Sequence, residues 1–209
     1  MTHIDHLIFD FDGTISNSYP LFLEFFHDYA KEHGLPIHMT DDELFYAMNL
    51  TMKHTVEQLE WEKFVTYEEF INDFHQKQID HALRFQPFPE AIALLEDSKK
   101  LGKKNYIYTH TGPIVSEMLK NMGILHLFDF VLDDSYGFPA KPCPDALRFL
   151  SQKLGLDPAT CMMIGDRPID AQAGMNAGMI GCLWDAYGFF EDVPVDHRVT
   201  SLAEIKNLI

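Results

Sequence analysis

Six residues with side chains suited to acid–base or metal chemistry stand at the ends of short apolar runs or in the loops that follow them. They are four carboxylates, one hydroxyl and one ammonium: Asp10, Asp12, Asp166, Asp170, Thr109 and Lys141. An apolar run that stops at polar residues is typical of a buried strand leading into a loop. In a parallel sheet, ligands bind beyond the carboxyl ends of the strands. We therefore expect these six side chains to converge on one cleft.

The first acidic pair, Asp10 and Asp12, is separated by a single residue. On extended backbone both side chains point to the same side, so both can face one cleft. Two carboxylates this close repel each other unless a cation or a proton lies between them. Gly13 permits a tight turn directly after them. Taken alone, a strand end with an Asx turn explains this pair as well as chemistry does.

The second acidic pair, Asp166 and Asp170, follows a later apolar run. Hard carboxylate oxygens suit Mg²⁺, which binds through a few carboxylates and keeps several waters. Asp170 is also predicted to cap a helix that begins near Ala171, and capping alone would explain an Asp there. The pair therefore predicts either a magnesium site or, for Asp170, a helix cap.

Lys141 and Thr109 complete the set of six. Lys141 precedes Pro142-Cys143-Pro144, a stretch that cannot be regular helix. A Lys held on such a stiff loop could neutralise a carboxylate and a phosphoryl oxygen together, although a solvated surface Lys is the alternative. Thr109 ends a predicted strand and offers a hydroxyl, but β-propensity explains a Thr there equally well.

The elements that must position these residues alternate along most of the chain. Strands are predicted at 7–9, 105–108, 128–132, 161–164, 180–184 and 197–199, and helices at 91–101, 114–122, 145–154, 171–177 and after Ser201. This alternation predicts an α/β fold with a Rossmann-like parallel sheet and helices on both of its faces. An all-helical cap domain is inserted after the first strand. We assign residues 1–15 and 87–209 to the α/β core domain and 16–86 to the cap.

The inserted block carries helix signals and lacks strand signals. A helix is predicted over 20–33 and a short one over 52–61, and capping boxes start two others at Thr40 and Thr66. Four aromatic residues at helical spacing are interpreted as the core of this domain: Phe22, Phe25, Phe26 and Tyr29.

Composition excludes several classes of partner. The chain has 209 residues, 46% of them hydrophobic, and a formal net charge of −16. Such an acidic protein repels nucleic-acid phosphates and anionic membranes, although local cations or a metal can reverse the field in one cleft. Three cysteines without CxxC spacing indicate reduced thiols. With neither a signal peptide nor a membrane span in the sequence, we expect a cytoplasmic protein.

The chemistry-bearing residues resemble the motifs of a known family. The run Asp10 to Thr14, the strand-end Thr109, Lys141 followed by Pro142, and Gly165-Asp166 with Asp170 look like the four motifs of haloacid dehalogenase-superfamily phosphohydrolases. The resemblance covers nearly the whole chain, including a helical cap inserted after the first motif. The most similar subgroup is the phosphoglycolate phosphatase and β-phosphoglucomutase type.

The resemblance implies a role for each carboxylate. Asp10 would be the nucleophile that attacks phosphorus and forms an aspartyl-phosphate. Asp12 would protonate the leaving oxygen and then activate water as a general base. Mg²⁺ would be held by Asp10, Asp166 and the backbone carbonyl of Asp12. Asp170 would bind the metal through a water or orient Lys141.

The resemblance also implies substrate contacts. Thr109 would hydrogen-bond the phosphoryl group, and Lys141 would neutralise it. His110 adjoins Thr109 and is a further candidate for substrate binding, although a loop or packing role explains it as well. In the cap, Lys53 is the candidate to touch a second anionic group of the substrate, although an exposed Lys near a helix start is usually only solvated.

These implications predict a Mg²⁺-dependent phosphatase of a small phosphorylated metabolite, phosphoglycolate-like or sugar-phosphate-like. The dehalogenases of the same fold lack an acid at the position of Asp12, so this residue favours phosphate-ester chemistry. The alternatives are a sugar phosphomutase of the β-phosphoglucomutase type and a non-catalytic regulatory relative. We expect a monomer or homodimer.

Overall fold

The computed structural model describes residues 3–209 and divides the chain into two compact units. One unit is Ser18–Phe85, and the other comprises the segments before and after it. Met1 and Thr2, which belong to the predicted core domain, lie outside the described residues. The predicted boundaries at 15/16 and 86/87, and the role of the inserted unit as a cap, stay predictions.

The larger unit is built on a six-stranded sheet in which every pairing is parallel. Its strands are β1 (His6–Phe9), β2 (Lys104–Tyr108), β3 (Phe130–Leu132), β4 (Cys161–Gly165), β5 (Ile180–Trp184) and β6 (His197–Val199). The spatial order is β3-β2-β1-β4-β5-β6, so the direction of winding reverses at β1. This reversal opens a crevice at the carboxyl ends of β1 and its neighbours. The predicted parallel α/β sheet is confirmed.

The inserted unit is helical, with α1 (Tyr19–His33), α2 (Asp41–Leu50), α3 (Met52–Gln58) and α4 (Tyr67–Asp80). Both predicted capping boxes are present, at the starts of α2 and α4. The predicted aromatic core is confirmed by burial and by ring contacts with later residues of the same unit: Phe22, Phe25, Phe26, Tyr29, Trp61, Phe70 and Phe74. These large rings hold α1, α4 and the segment around Trp61 together because they bury much apolar area per side chain.

Four helices cover the sheet: α5 (Pro89–Lys100), α6 (Ile114–Asn121), α7 (Asp145–Leu154) and α8 (Pro168–Asn176). Neighbouring residues of β2 show that both faces are covered, because adjacent side chains of a strand point to opposite faces. Asn105 is hydrogen-bonded to Ser98 of α5, whereas Tyr106 lies in an apolar cluster with Leu147 of α7. Among residues 3–209, none of the helices has the length and apolarity needed to cross a bilayer.

The short helix predicted over 52–61 is interrupted. Helix α3 ends at Gln58, and a separate 3₁₀ turn follows at Trp61–Lys63. Between them, Glu60 adopts a left-handed backbone with φ of 58°. A residue in this conformation cannot continue a right-handed helix, so the local apolar pattern overestimated the helix length.

Two other elements are shorter or tighter than predicted. Strand β3 begins at Phe130 and not at residue 128, because a 3₁₀ turn at Leu125–Leu127 precedes it and occupies the approach to the sheet. The helix predicted after Ser201 is a 3₁₀ helix over Leu202–Asn207. Both differences concern short terminal turns, which a residue pattern does not specify well.

Candidate active site

Strands β1 and β4 bring the first and second acidic pairs together. Asp10 follows β1 directly, and its backbone N–H donates to the Ile164 carbonyl of β4 over 2.8 Å. Asp166 follows β4 directly. Carboxylate oxygens of Asp10, Asp166 and Asp170 lie within 4.8 Å of one another, and all three residues are buried. The parallel pairing of the two strands therefore assembles a three-carboxylate group from both motifs.

Gly165 makes room for Asp170 over the end of β4. A Cβ atom at Gly165 would lie 2.3 Å from the Cβ of Asp170 and 2.4 Å from its Oδ2. Such distances are far below contact, so only a glycine permits this approach of backbone to side chain. The glycine of this motif thus has a packing role in the site.

The position of Asp170 in its helix differs from the prediction. Helix α8 begins at Pro168 with Arg167 as the N-cap residue, so the predicted start near Ala171, with Asp170 as cap, was wrong. Pro168 suits the first helical position because a proline needs no hydrogen-bond partner for its nitrogen there. Asp170 is the third helical residue, and its Oδ2 accepts the backbone N–H of Arg167 over 3.1 Å.

Lys141 lies fully buried between two carboxylates. Its Nζ donates to Oδ1 of Asp10 over 2.7 Å, to Oδ1 of Asp170 over 2.8 Å and to the Tyr108 carbonyl over 3.0 Å. These three bonds use all three protons of the ammonium group. The same Nζ stands 4.6 Å from the centroid of the Tyr108 ring. Lys141 is therefore held on Asp10 at a fixed position.

The Asp10–Lys141 pair keeps both groups charged. Burial by itself would raise the pKa of Asp10, but the nearby charges of Lys141 and Arg167 outweigh it and lower this pKa below its ordinary value. Burial would lower the pKa of Lys141, and the charges of Asp10 and Asp170 raise it above its ordinary value instead. Asp10 is accordingly a carboxylate at neutral pH, the form in which it could act as a nucleophile.

Arg167 is a member of the site that the sequence did not reveal. Its Nη2 lies 3.5 Å from Oδ2 of Asp10, and its Nε lies 3.8 Å from Oδ2 of Asp170. The side chain is 16% exposed. An Arg in a loop is usually solvated, and nothing in the local pattern distinguishes this one. Asp10 and Asp170 thus each face Lys141 with one oxygen and Arg167 with the other.

The half-buried Asp12 joins a different set of contacts from the three-carboxylate group. Its Oδ2 accepts the hydroxyl of Thr111 over 2.6 Å, and the Thr111 N–H donates to Oγ1 of the buried Thr109 over 3.0 Å. Gly13, with φ of 77°, closes the turn that carries Asp12. Thr111 ties the end of the β1 loop to the end of the β2 loop, so it positions two predicted site residues at once.

Two hydroxyl residues of the motif loops were missed from the sequence. Thr111 is one, and Thr14 is the other, because its Oγ1 donates to Oδ1 of Asp166 over 2.9 Å. Their proximity to Asp12 and Thr109 was the available signal, since loops after parallel strands share one edge of the sheet.

The two remaining candidates from the sequence, His110 and Lys53, lie in different surroundings. Half-buried His110 accepts the backbone N–H of Lys141 at its Nε2 over 3.2 Å, and its Nδ1 lies 3.7 Å from Asp134. It therefore contacts the loop that carries Lys141. Lys53 is an exposed residue in the first turn of α3, where Thr51 caps the helix. Its predicted contact with substrate stays a prediction.

Comparison with known proteins identifies the family. The family model described as haloacid dehalogenase-like hydrolase matches residues 7–183, which include the three-carboxylate group, Lys141 and Arg167. The chain belongs to the haloacid dehalogenase-like hydrolases.

This hydrolase is similar to phosphatases over most of its length. It is 29% identical over 192 residues to a phosphoglycolate phosphatase of Neisseria gonorrhoeae, with 85% of this chain and 78% of the relative covered. It is 26% identical over 187 residues to the fructose-1-phosphate phosphatase YqaB of Escherichia coli, with 83% and 92% covered. In fold, it matches the crystal structure of a predicted phosphoglycolate phosphatase from Haemophilus somnus with a TM-score of 0.82, 24% identity, and coverage of 100% and 99% of the two chains.

The charges of the hydrolase site fit a divalent cation. Four carboxylates lie around the ends of β1 and β4, and two cations, Lys141 and Arg167, face two of them, Asp10 and Asp170. With every group ionised, the site carries an excess of two negative charges in buried surroundings, where uncompensated charge is costly. Carboxylate oxygens are hard ligands suited to Mg²⁺. The residues present therefore fit a magnesium ion.

Two of the three cysteines, Cys161 and Cys182, do not offer an alternative nucleophile. Burial raises the pKa of Cys161 and of Cys182 to about 12 in each case. A thiol with such a pKa is protonated at neutral pH, and the protonated form is a poor nucleophile. The ionised Asp10 is the better-prepared attacking group.

Proposed function

We propose that this protein is a Mg²⁺-dependent phosphatase that hydrolyses a small phosphorylated metabolite through an aspartyl-phosphate on Asp10. The observation that carries the proposal is the buried Asp10 carboxylate, paired with Lys141 over 2.7 Å and adjacent to two further carboxylates. A lone buried carboxylate would take up a proton, whereas this one is kept ionised. Ionisation without solvent exposure is what a nucleophilic aspartate requires.

The metal would be held by the side chains of Asp10, Asp166 and Asp170, with the backbone carbonyl of Asp12 as a further ligand. When bound, Mg²⁺ would supply the positive charge that lets an anionic carboxylate approach an anionic phosphoryl group. Asp166 is oriented for this task by Thr14, which donates to one of its oxygens. Such support of a metal ligand by a neighbouring donor fixes its orientation.

The chain's own residues would then perform two substitutions at phosphorus. A carboxylate oxygen of Asp10 attacks, a bond from Asp10 to phosphorus forms, and the bond to the leaving oxygen breaks as Asp12 donates a proton to it. A water molecule next attacks the same phosphorus while Asp12 takes up its proton. The bond between Asp10 and phosphorus breaks, and phosphate and the Asp10 carboxylate are released.

Binding of the phosphoryl group would fall to Thr109 and Lys141. Thr109 is placed by the Thr111 N–H, which leaves its hydroxyl proton able to donate. Lys141 lies on the attacking carboxylate and so can neutralise charge that develops beside it. Relatives named for phosphoglycolate and fructose-1-phosphate support a small substrate. Lys53 and His110 are further candidates for substrate contact. We also propose that the protein acts in the cytoplasm.

The test is a panel of phosphorylated metabolites scored for released phosphate with Mg²⁺ and with a chelator. We expect release from one or more small phosphate esters in Mg²⁺ only, and loss of at least about 10³-fold in Asp10→Asn, because the nucleophile is removed. The exposed Asp192→Asn serves as the matched control and should keep full activity. Conversion of a sugar phosphate to its isomer without phosphate release would identify a mutase instead. Full turnover in Asp10→Asn would overturn the proposal.

A further inference from the structure

We infer that Arg167 is a second counter-cation of Asp10 and Asp170, beside Lys141, and that a divalent cation binds in competition with it. The inference rests on the magnesium site of the proposed function. It assigns Arg167 a role in setting how tightly that site holds its metal, beyond the residues that would ligate the ion.

Lys141 and Arg167 lie at different distances from the two carboxylates. Lys141 lies 2.7 and 2.8 Å from the Oδ1 atoms of Asp10 and Asp170. Arg167 lies 3.5 and 3.8 Å from their Oδ2 atoms. Hydrogen bonds between charged groups are normally about 2.7–2.9 Å long, so the guanidinium contacts with these two carboxylates are longer than those of Lys141. Lys141 holds the Oδ1 atoms of both carboxylates. The Oδ2 atoms, which face Arg167, are the ones that another cation can bind.

Burial explains why a counter-cation is needed when the metal is absent. The side chains of Asp10 and Asp170 are 2% and 0% exposed. A single ammonium cannot balance these two carboxylates and Asp166 beside them, and like charges at such short range repel strongly. Arg167 supplies the second positive charge from a side chain that still reaches solvent, since it is 16% exposed.

The backbone and the side chain of Arg167 have separate roles. Its backbone N–H donates to Oδ2 of Asp170 and starts α8. A substitution at this position keeps that bond, because any residue except proline supplies the same N–H. The side chain can therefore be changed while Asp170 stays held, which makes a clean test possible.

Arg167→Met and Arg167→Gln test the inference, with MgCl₂ as the only probe. Mg²⁺ binding is measured by calorimetric titration and by the Mg²⁺ dependence of the urea unfolding midpoint. We expect both neutral variants to bind Mg²⁺ about tenfold more tightly than the wild type, because a positive charge beside the ion is removed. By linkage, Mg²⁺ should also raise their unfolding midpoints more than that of the wild type.

Two controls separate charge from other effects. Arg167→Lys keeps the positive charge and should bind Mg²⁺ within a factor of about three of the wild type. Arg148→Met removes a half-exposed Arg of α7, whose contact with Asp145 is 3.9 Å long, and should leave the affinity unchanged. Equal or weaker Mg²⁺ binding in the neutral variants would overturn the inference while leaving the metal site in place. Absence of Mg²⁺ binding in the wild type and in all variants would overturn the metal site and this inference together.

Discussion

The ionisation of Asp10 depends mainly on one buried neighbour, Lys141, with Arg167 as the second nearby cation. Lys141 contributes the largest of the effects that lower the pKa of Asp10 and opposes the burial that would raise it. A carboxyl with a lowered pKa stabilises the folded state above its unfolded pKa, about 3.9, and this contribution is lost only as the pH falls further, through the folded value. In the wild type, the contribution of Asp10 to stability is therefore constant from neutral pH down to the ordinary range of a carboxyl.

Lys141→Met should reverse this pH dependence. Without the ammonium, only the more distant Arg167 charge and a backbone hydrogen bond oppose burial, so we expect the pKa of Asp10 to rise. A group with a raised pKa gains stability as the pH falls through that value. We expect a loss of about 3–5 kcal/mol in the free energy of unfolding at neutral pH, and we expect this loss to shrink toward acidic pH. Urea unfolding of the wild type and of Lys141→Met, with chelator present and at a series of pH values, measures this loss. A loss that is the same at every pH would contradict the interpretation.

His110 should act through Lys141. Its Nε2 accepts the Lys141 N–H over 3.2 Å, so His110→Leu leaves this N–H without its partner and loosens the loop. We expect kcat to fall about tenfold, the equivalent of one hydrogen bond, with little change in KM. His110→Gln places an oxygen near the same position and should restore most of kcat. If Gln is as impaired as Leu, or if only KM changes, His110 does not position Lys141.

At the scale of elements, local signals predicted most elements and the bounds of some, but long-range contacts poorly. Helix α7 and strands β5 and β6 have the predicted bounds, and α7 does so because Pro144 and Gly155 flank it. Thr14 and Asp166 are 152 positions apart in the chain, and Asp12 and Thr111 are 99 apart. No local pattern reports such pairs, so the carboxylates were predictable and the hydroxyls and Arg167 that orient them were not.

Gly165 should tolerate no side chain. A methyl group there would lie 2.3 Å from the Cβ of Asp170, and neither the strand end nor the first turn of α8 can yield without moving the other. We expect Gly165→Ala to lower the free energy of unfolding by about 1–3 kcal/mol, the usual cost of overpacking. Gly112→Ala is the control, because a Cβ there meets no atom within 4 Å. Equal stability of the two variants in urea unfolding would refute this packing role.

At the scale of the whole molecule, a strongly acidic chain places two of its few cations at the candidate active site. The protein carries a net charge of −16, yet its central carboxylate faces two cations. The sequence predicted the α/β sheet and the family, because parallel strands and the motifs after them leave strong patterns. The predicted cap function of the helical unit rests on the resemblance alone, since substrate contact depends on shape and not on a residue pattern.

Substitution of Lys53 tests whether the helical unit contacts the substrate. If the helical unit contacts the substrate as predicted, Lys53→Ala should raise KM about tenfold for a phosphate ester that carries a second anionic group, since one charged contact is lost. Turnover of an aryl phosphate that carries no anionic group besides its phosphate should not change. Lys31→Ala, another exposed Lys of the same unit, is the matched control. An unaltered substrate profile in Lys53→Ala would remove this residue from the substrate site.

The most direct test of the account is chemical capture of the phosphoryl group on Asp10. An aryl phosphate is a suitable donor because its leaving group needs little help from an acid, so Asp12→Asn should form the intermediate and then hydrolyse it slowly. After acid quenching and proteolysis, we predict a phosphoryl group on the peptide that contains Asp10, removable by hydroxylamine, and none in the Asp10→Asn protein. Steady phosphate release by the wild type, with no phosphoryl group on Asp10 in either the wild type or Asp12→Asn, would contradict the account.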